Sequence, residues 1–401
     1  MKKKVLLIAS ELGKGGAERS ISLLSHYLSN HFDVTLCVMT EKLDELYYKT
    51  CENVIFIDPP MTAHFIGRIQ AWMYKIKAVR ALKQQIKPDV VISFLEGPDY
   101  VNILSREGEK IILSIRGSKK FDQEISGVKG WVRKKLVIPY LYKKADCIVP
   151  VTEALAEEMN KFFKLPMARL KVINNFYEVD AIVEQSNESL THEESQIYQQ
   201  RVFVHSGRLH VAKDQKSMIL AFSKIKQRNA ARLLILGEGP LKDELMQVAH
   251  TSGLQICDWE NQAYVDADIY FMGFQNNPFK FYKHSDLFIL TSLWEGFPNA
   301  LTEALLCDIP VMSSDCSTGP REILSTKPYK AVISYPDYAK YGILMPLLAS
   351  SKEIDLWAEQ LQKFINNDEL SLRYKDCSKD ISNKYGINSI LSQWVELINN
   401  L

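Results

Sequence analysis

Residues 4–38 read KVLLIASELGKGGAERSISLLSHYLSNHFDVTLCV, and this stretch contains one complete strand–helix–strand unit. The apolar runs Val5–Ala9 and Val34–Val38 have the length of buried strands, and Ala17–Ser29 between them has the length of a helix. Two strands joined through a helix lie parallel in a sheet that helices cover on both faces. The sequence therefore predicts an α/β protein.

The alternation of strands and helices continues along most of the chain. In the first half, further predicted elements are the strands Val54–Ile57, Val90–Phe94, Lys110–Ile115 and Cys147–Val151 and the helices Phe65–Gln85 and Ala154–Phe163. A second series comprises the strands Val202–Ser206, Leu233–Leu236, Ile269–Met272, Leu287–Thr291 and Val311–Ser313 and the helices Gln215–Arg228, Leu241–Thr251 and Asn299–Cys307. The two series predict two successive parallel-sheet domains.

The boundaries follow from composition. We predict a first domain over 1–178, a polar linker rich in Glu, Gln and Ser over 179–200, and a second domain over 201–378. The closing segment, 379–401, is predicted to contain a helix whose apolar stripe needs a partner surface. That stripe consists of Ile390, Leu391, Trp394, Leu397 and Ile398.

Length and composition exclude several classes of protein. The chain has 401 residues, which at ~150 residues per domain predicts two or three domains. Apolar residues make up 46% and charged residues 24%, so disordered and fibrous proteins are excluded. The net charge of +1 gives no indication of a nucleic-acid partner. However, residues 1–178 carry a net charge of +8 and the remainder −7, which favours an anionic partner for the first half.

Cysteines and hydropathy indicate the compartment. The seven cysteines are scattered without a C-x-x-C pair, which favours free buried thiols in a reducing cytoplasm. There is no apolar stretch of ~18 residues, and the opening apolar run ends at Glu11, too early for a signal peptide. We therefore expect a cytoplasmic protein without a transmembrane helix.

Four loops that follow strands are candidate ligand sites, because open parallel sheets bind ligands beyond the carboxyl ends of their strands. Gly13–Arg19 (GKGGAER) opens a helix, so Gly15 and Gly16 allow an anion to approach, although a simple tight turn is equally consistent. The second loop, His205–Gln215, carries Arg208 and Lys213, which suit a diphosphate; the alternative is that both are solvated loop cations.

The third loop, SLWEGFPNALTEALLCDIP, combines two acidic residues with the start of a helix. Glu295 and Glu303 can accept hydrogen bonds from sugar hydroxyls, and the backbone N–H groups of Phe297 and Asn299 can bind phosphate, with Pro298 at the first helical position. The alternative is that Glu295 only interacts with the dipole at the helix N-terminus and that Glu303 is a solvated helix residue. The fourth loop, Ser313–Leu324, is more typical of a structural turn at Gly319 and Pro320.

Taken together, the motifs GGAER, GRL with Lys213, LILGEGP and EGFPNALTE resemble, in this order, retaining glycosyltransferases of family four with the GT-B fold. The segments SDCSTGPREIL, VISFLEG and ILSIRGS are similar to bacterial members that build lipid-linked surface glycans. The resemblance implies two Rossmann-like domains that face each other across a cleft, with the last helix crossing back to the first domain. It also implies a hexose or N-acetylhexosamine moved from a nucleotide-sugar, a UDP-sugar above all, to a polyprenyl-diphosphate-linked glycan.

The resemblance also implies roles for individual residues. Arg208 and Lys213 would stabilise the leaving diphosphate, Glu295 would contact the transferred sugar and Glu303 would hold the ribose. The remaining residues near the nucleotide would be Gly15, Gly16, Gly237, Glu238, Phe297, Pro298 and Asn299, with Gly239 beside them.

One position departs from the family pattern. Arg116 stands where many members carry a histidine beside the donor sugar, and an arginine cannot act as a base. It can still hold the sugar or phosphate as a cation, which fits a reaction without an enzyme base. No cluster of residues has metal-ligand spacing, and Asp266 and Asp268 precede a strand, so neither a metal nor another cofactor is expected.

Two basic segments explain the charge of the first half. Residues 64–87 hold six basic and no acidic side chains beside an apolar face, and residues 129–144 hold six more basic groups beside Trp131, Tyr140 and Tyr142. The apolar face comprises Phe65, Ile66, Ile69, Trp72, Met73, Ile76, Val79 and Leu82. Such stretches suit the inner surface of an anionic membrane, and the alternative is an ordinary core-facing helix with solvated cations.

Two other functions remain open from the residues alone. A UDP-sugar 2-epimerase of the same fold would need additional acid and base groups around the sugar. A nucleotide-sugar-binding module without turnover would leave Arg208, Lys213, Glu295 and Glu303 without a catalytic purpose.

Overall fold

The computed structural model describes residues 2–40, 46–58, 65–121, 127–226, 231–262 and 264–401, without the side chains of Phe65, Ile66, Arg68 and Lys226. The chain forms two units: Met1–Phe176 with Ile387–Leu401, and Tyr177–Gly386. Each unit is built on a largely parallel sheet, as the alternation of strands and helices predicted.

Unit 1 contains a six-stranded parallel sheet in the order β3-β2-β1-β4-β5-β6. Its strands are β1 (Lys4–Ala9), β2 (Asp33–Val38), β3 (Asn53–Phe56), β4 (Val90–Phe94), β5 (Lys110–Ile115) and β6 (Cys147–Pro150). Its first helices are α1 (Gly16–Leu28), α2 (Phe65–Ile86), α3 (Glu96–Leu104), α4 (Gly127–Val132), α5 (Ile138–Tyr142) and α6 (Glu153–Lys161). A π-helical turn, Arg133–Val137, joins α4 to α5.

Unit 2 contains an eight-stranded sheet in the order β13-β14-β12-β11-β7-β8-β10-β9, in which only β13 is antiparallel to its neighbour. Its strands are β7 (Arg201–Ser206), β8 (Ala231–Leu236), β9 (Ile256–Asp258), β10 (Ile269–Phe271), β11 (Leu287–Leu290), β12 (Val311–Ser314), β13 (Asp337–Tyr338) and β14 (Ile343–Met345). Its helices are α7 (Val179–Ser186), α8 (His192–Ile197), α9 (Gln215–Lys226), α10 (Lys242–Thr251), α11 (Phe279–His284), α12 (Asn299–Leu306), α13 (Pro320–Leu324), α14 (Ser351–Asn366), α15 (Asp368–Arg373) and α16 (Ser378–Tyr385). Arg228, the predicted end of α9, lies outside the described residues.

The segment 179–200 differs from the predicted linker. It forms α7 and α8, which belong to unit 2 and bury Ile182 and Ile197. Thr191 and Glu194 form a reciprocal capping box at the start of α8. The segment is polar because each short helix buries few residues, so composition alone suggested an exposed connection.

The end of the chain returns to unit 1 as α17 (Ile387–Asn400), and the predicted boundary at 379 cuts through α16, which belongs to unit 2. The stripe Ile390, Leu391, Trp394, Leu397 and Ile398 is buried against α1 and one face of the unit 1 sheet. Lys3 Nζ donates to the carbonyls of Ile398 and Asn399, at 3.0 and 3.1 Å, and so satisfies the free carbonyls at the helix end.

The basic amphipathic stretch 64–87 also differs from its predicted single apolar face. In α2, Val79 and Leu82 are buried in the core, whereas Ile69, Trp72 and Met73 are exposed. Lys83 is fully buried, with Nζ 2.6 Å from Glu109 Oε1, so it contributes nothing to the surface charge. His64 and the side chains of Phe65, Ile66 and Arg68 lie outside the described residues.

All seven cysteines are free thiols, and six of them are buried. Within the described ranges, no helix combines the length and apolar composition that a bilayer crossing requires.

The buried stripe of α17 yields a stability prediction. We expect Trp394→Ala to lower the free energy of unfolding by about 3–5 kcal/mol, because a buried indole leaves a large cavity. Urea denaturation monitored by circular dichroism measures the change. Glu396→Ala, on the exposed side of the same helix, is the control and should alter stability little. Equal effects of the two changes would contradict the packing of α17.

Candidate functional site

The loop after β7 carries both predicted cations and is fixed by its neighbour, the loop after β8. The Gly207 N–H donates to the Leu236 carbonyl at 3.0 Å, and the Leu209 N–H donates to the Glu238 carbonyl at 2.8 Å. Gly237 has φ of 134°, and a Cβ there would overlap the Gly207 carbonyl. The glycine is therefore required for the two loops to approach each other so closely.

Lys213 and Glu295 form an ion pair at the centre of the site. Lys213 Nζ lies 2.5 Å from Glu295 Oε1, and the two side chains are 23% and 10% exposed. The Ser292 hydroxyl donates to the same Oε1 at 2.6 Å. Among the described residues nothing donates to Glu295 Oε2, so this oxygen can accept a hydrogen bond from a ligand hydroxyl.

Hydroxyl side chains hold the backbone on both sides of this pair. The Thr291 hydroxyl donates to the Lys213 carbonyl at 2.8 Å, and the Thr318 hydroxyl donates to the Glu295 carbonyl. The Ser314 hydroxyl donates to the Ser292 carbonyl at 2.7 Å. Sequence reasoning missed these residues, and the only signal was the presence of Ser and Thr at the ends of β11 and β12 and in the loop that follows β12.

Arg208 differs from Lys213 in its surroundings. Its side chain is exposed, and within the described part of the chain it makes no hydrogen bond or ion pair. Arg208 and Lys213 thus give this loop two positive groups. The guanidinium can bind a phosphate or carboxylate through two parallel hydrogen bonds, and the ammonium can bind it as a point charge.

The acidic residues of the third loop are separated by the start of α12. Glu303 lies inside the helix and is 6% exposed, so the structure does not place it as a solvated residue. Asn299 is the first helical residue, and its side-chain oxygen accepts a hydrogen bond from the Tyr177 hydroxyl at 2.9 Å. The Phe297 ring packs edge-on against Tyr385, with centroids 5.2 Å apart.

Pro298 immediately precedes α12 and contacts the fourth loop. Gly319 has φ of 96°, and a Cβ there would come within 2.5 Å of Pro298 Cδ. In the same loop Arg321 pairs with Asp315 and donates to the carbonyls of Tyr329 and Ala331. These contacts favour the structural role that the sequence suggested for this loop.

The remaining predicted residues lie in unit 1. Gly15 caps the N-terminus of α1 without a side chain, Gly16 is the first helical residue, and a Cβ on Gly15 would overlap the Glu18 carboxylate. Arg116 follows β5, donates to Asn175 Oδ1 and lies over the Phe94 ring at 5.0 Å. Arg116 is therefore half-buried and held in place by residues of its own unit.

The two acids of the D-x-D motif have structural partners. Asp266 pairs with Arg232, and Asp268 Oδ2 accepts the Gln255 N–H at 2.8 Å. Across the described residues, no group of three His, Cys, Asp or Glu side chains has the geometry of a metal site.

A buried histidine, which sequence reasoning did not single out, lies below the cationic loop. His205 is the fifth residue of β7, is fully buried, and has Nδ1 2.9 Å from the Ile289 carbonyl. Burial lowers the pKa of His205 to about 4, and the charge of Lys213 contributes in the same direction. The imidazole is therefore neutral near pH 7.

Comparison with known proteins agrees with this geometry. Residues 14–181 match the model described as Glycosyltransferase Family 4, and residues 187–380 match the model described as Glycosyl transferases group 1. A glycosyltransferase of Methanocaldococcus jannaschii whose activity is uncharacterized is 32% identical over 357 residues, which cover 82% of this chain and 84% of that protein. The chain belongs to glycosyltransferase family four. Its motifs and its two parallel-sheet units thus have a common explanation.

One further relative of this family-four glycosyltransferase and one solved structure carry more informative names. The N-acetylgalactosamine-N,N'-diacetylbacillosaminyl-diphospho-undecaprenol 4-alpha-N-acetylgalactosaminyltransferase of Campylobacter jejuni is 26% identical, with 94% of each chain covered. The crystal structure of Anabaena HepE in complex with UDP and glucose superimposes with a TM-score of 0.74 at 15% identity, with 100% of each chain covered. The structural likeness confirms the predicted GT-B fold.

The burial of His205 yields a pH prediction. The folded protein keeps His205 neutral down to about pH 4, whereas the unfolded chain takes up the proton from about pH 6.5. The stability that depends on the neutral imidazole is therefore complete above pH 6.5 and is lost as the pH falls towards 4, by about 3 kcal/mol at most.

The measurement compares urea unfolding of the wild type with that of His205→Asn at several pH values. The unfolding free energy of the wild type minus that of the variant should be constant above about pH 6.5 and should decrease as the pH falls below it. Other titrating groups cancel in this difference. A difference that does not change with pH would contradict the neutral, buried state of His205.

Proposed function

We propose that this glycosyltransferase moves a hexose or N-acetylhexosamine from a nucleotide-sugar, a UDP-sugar, to a lipid-linked glycan with retention at the anomeric carbon. The ion pair between Lys213 and Glu295 carries the proposal. It places an ammonium group that can bind a diphosphate beside a carboxylate whose second oxygen is available to a sugar. The UDP and glucose in the Anabaena HepE structure support a UDP-sugar donor. The diphospho-undecaprenol acceptor in the name of the Campylobacter jejuni relative supports a lipid-diphosphate acceptor.

In this proposal the donor diphosphate meets Arg208 and Lys213, while Glu295 Oε2 accepts a hydrogen bond from a sugar hydroxyl. Glu303 holds the ribose, and the Gly237–Gly239 turn passes beside the nucleotide. For Gly15, Gly16 and Arg116 of unit 1, contact with the donor stays a prediction from the sequence.

The chemical step needs no base from the protein. The acceptor hydroxyl attacks the anomeric carbon on the face that the diphosphate leaves. The bond between the anomeric carbon and the phosphate oxygen breaks, the new glycosidic bond forms, and the hydroxyl proton passes to the departing phosphate oxygen. Arg208 and Lys213 stabilise the negative charge that develops on this leaving group, so catalysis is mainly electrostatic and requires no metal or other cofactor.

The experiment on the donor uses wild-type protein with a panel of UDP-, GDP- and ADP-sugars and an undecaprenyl-diphosphate-linked glycan. We expect transfer from a UDP-sugar, no loss of rate with EDTA, and a product whose anomeric configuration by NMR equals that of the donor. Arg208→Ala should lower kcat by about 10²–10³, because it removes one charge from the leaving-group site without disturbing any described contact.

Lys216→Ala is the matched control, since Lys216 is an exposed lysine of α9 that pairs only with Glu244 among the described residues. Its kcat should equal that of the wild type. A product of inverted configuration, or an unchanged kcat for Arg208→Ala, would contradict the proposed reaction.

We also propose that the protein works in the cytoplasm, attached to the inner, anionic face of the membrane. The two surfaces concerned pack on α3: the Trp72 and Tyr100 rings are 6.1 Å apart, and Arg133 NH2 lies 2.8 Å from Glu96 Oε1. The first exposes Ile69, Trp72, Met73 and Tyr74 of α2, and the second exposes Val128, Trp131, Val132, Leu136 and Tyr140 of the segment 127–142. Lysines flank these apolar side chains, which is the composition that binds anionic lipid.

Vesicle binding tests the membrane surface. We expect the wild type to bind phosphatidylglycerol vesicles and to be released by salt, because surface charge is screened at high ionic strength. The double variant Trp131→Ser with Leu136→Ser should bind at least about tenfold more weakly, since two apolar side chains no longer enter the bilayer. Leu372→Ser, at an apolar residue that is 64% exposed in unit 2, is the control. Wild-type protein that stays in the supernatant at low salt would contradict this attachment.

A further inference from the structure

Beneath the cationic loop of unit 2, the hydrogen bonds of His205 define its tautomer. Nδ1 lies 2.9 Å from the Ile289 carbonyl, and a carbonyl can only accept, so Nδ1 carries the hydrogen. In the neutral imidazole Nε2 is then an acceptor. This acceptor points at the side chain of Gln215, the first residue of α9.

The Gln215 amide uses both of its hydrogens. Its Nε2 lies 3.2 Å from His205 Nε2 and 2.9 Å from the Arg208 carbonyl oxygen, and both partners accept. The opposite orientation of the amide would bring its oxygen against two acceptors. The tautomer of His205 and the orientation of Gln215 therefore determine each other, and Gln215 is only 1% exposed.

The bond from Gln215 closes the loop that runs from the end of β7 to the start of α9. The ends of this loop are already tied, through the Gly207 N–H to the Leu236 carbonyl and through the Lys213 carbonyl to the Thr291 hydroxyl. Between these ties, Arg208 has an exposed side chain without a partner among the described residues. The placement of its guanidinium thus depends on the peptide between Arg208 and Leu209. The N–H of this peptide donates to the Glu238 carbonyl at 2.8 Å, and Gln215 binds its carbonyl directly.

We propose that His205 and Gln215 are positioning residues of the donor site: the neutral imidazole orients the Gln215 amide, which fixes the Arg208 peptide and so aims Arg208 beside Lys213 at the donor diphosphate. This inference rests on the proposed function and adds to it the residues that hold the diphosphate loop in place. A positively charged imidazole would also repel the Lys213 ammonium, so the lowered pKa of His205 is consistent with this arrangement.

The experiment compares two buried glutamines of unit 2. Gln215→Met removes both hydrogen bonds while keeping the length of the side chain. Gln360→Met is the control, because Gln360 is equally buried, lies on α14 and accepts one hydrogen bond, from the Tyr338 hydroxyl at 3.1 Å. Both variants should lose some thermal stability. Only Gln215→Met should weaken UDP binding by calorimetry and raise the donor KM, by about tenfold, with an unchanged acceptor KM.

A double-mutant cycle tests the coupling between the two residues. His205→Asn keeps a donor for the Ile289 carbonyl but is too short to put an acceptor at the position of the imidazole Nε2, so it should also raise the donor KM. The double variant should be no worse than Gln215→Met alone, because both changes break the same connection. A merely structural role would instead lower the active fraction, and hence the apparent kcat, and leave the donor KM unchanged.

The outcomes separate this inference from the function on which it rests. If wild-type protein binds none of UDP, GDP and ADP, the proposed function is wrong and the inference falls with it. If the wild type binds UDP and Gln215→Met binds it equally well, the function stands and the positioning role is overturned. Additive effects of His205→Asn and Gln215→Met would likewise overturn the coupling.

Discussion

The ion pair between Lys213 and Glu295 joins the loops that follow β7 and β11, and the other contacts of the candidate site surround it. A partly exposed pair contributes little to stability, so its value lies in placement. Glu295 Oε1 is occupied by Lys213 and Ser292, which leaves Oε2 for a ligand. An ammonium has three donors, so a diphosphate can bind Lys213 without breaking the pair. If the donor binds as proposed, these groups of unit 2 are thus already in place before it arrives.

The topology of the sheet explains why these loops meet. In unit 2 the chain proceeds from β7 to β8 on one side, whereas β11 pairs with β7 on the other. The carboxyl ends of β7 and β11 therefore flank a point at which the strand order changes direction, and ligands of open parallel sheets bind there. Unit 1 has the same feature between β1 and β4, and the Gly15–Gly16 turn follows β1. In each unit, the position of this candidate ligand site at the carboxyl ends of the strands thus follows from the sheet topology.

Local patterns in the sequence predicted most strands within a residue or two, because buried parallel strands are short apolar runs bounded by polar residues. They also placed Lys213 and Glu295 in candidate loops that follow strands, and the structure joins the two side chains in an ion pair. The hydrogen bonds of Thr291, Thr318 and Gln215 could not be predicted, since each joins a side chain to a carbonyl in another loop or turn, and no local pattern marks such a pair. The periodicity of α2 likewise could not distinguish the buried Val79 from the exposed Met73, because burial depends on which elements pack against each part of the helix.

The charge distribution shows how local arrangement outweighs net charge. Residues after 178 carry a net charge of −7, yet the proposed diphosphate site lies among them. Charges separated by more than about 8 Å are largely screened at physiological ionic strength, so a ligand at Arg208 and Lys213 responds mainly to those two cations and to nearby backbone N–H groups. A membrane, in contrast, is a broad surface that responds to many dispersed charges. The net charge of +8 over residues 1–178 therefore bears on the proposed membrane attachment, whereas the proposed donor site depends on how a few residues of unit 2 are held.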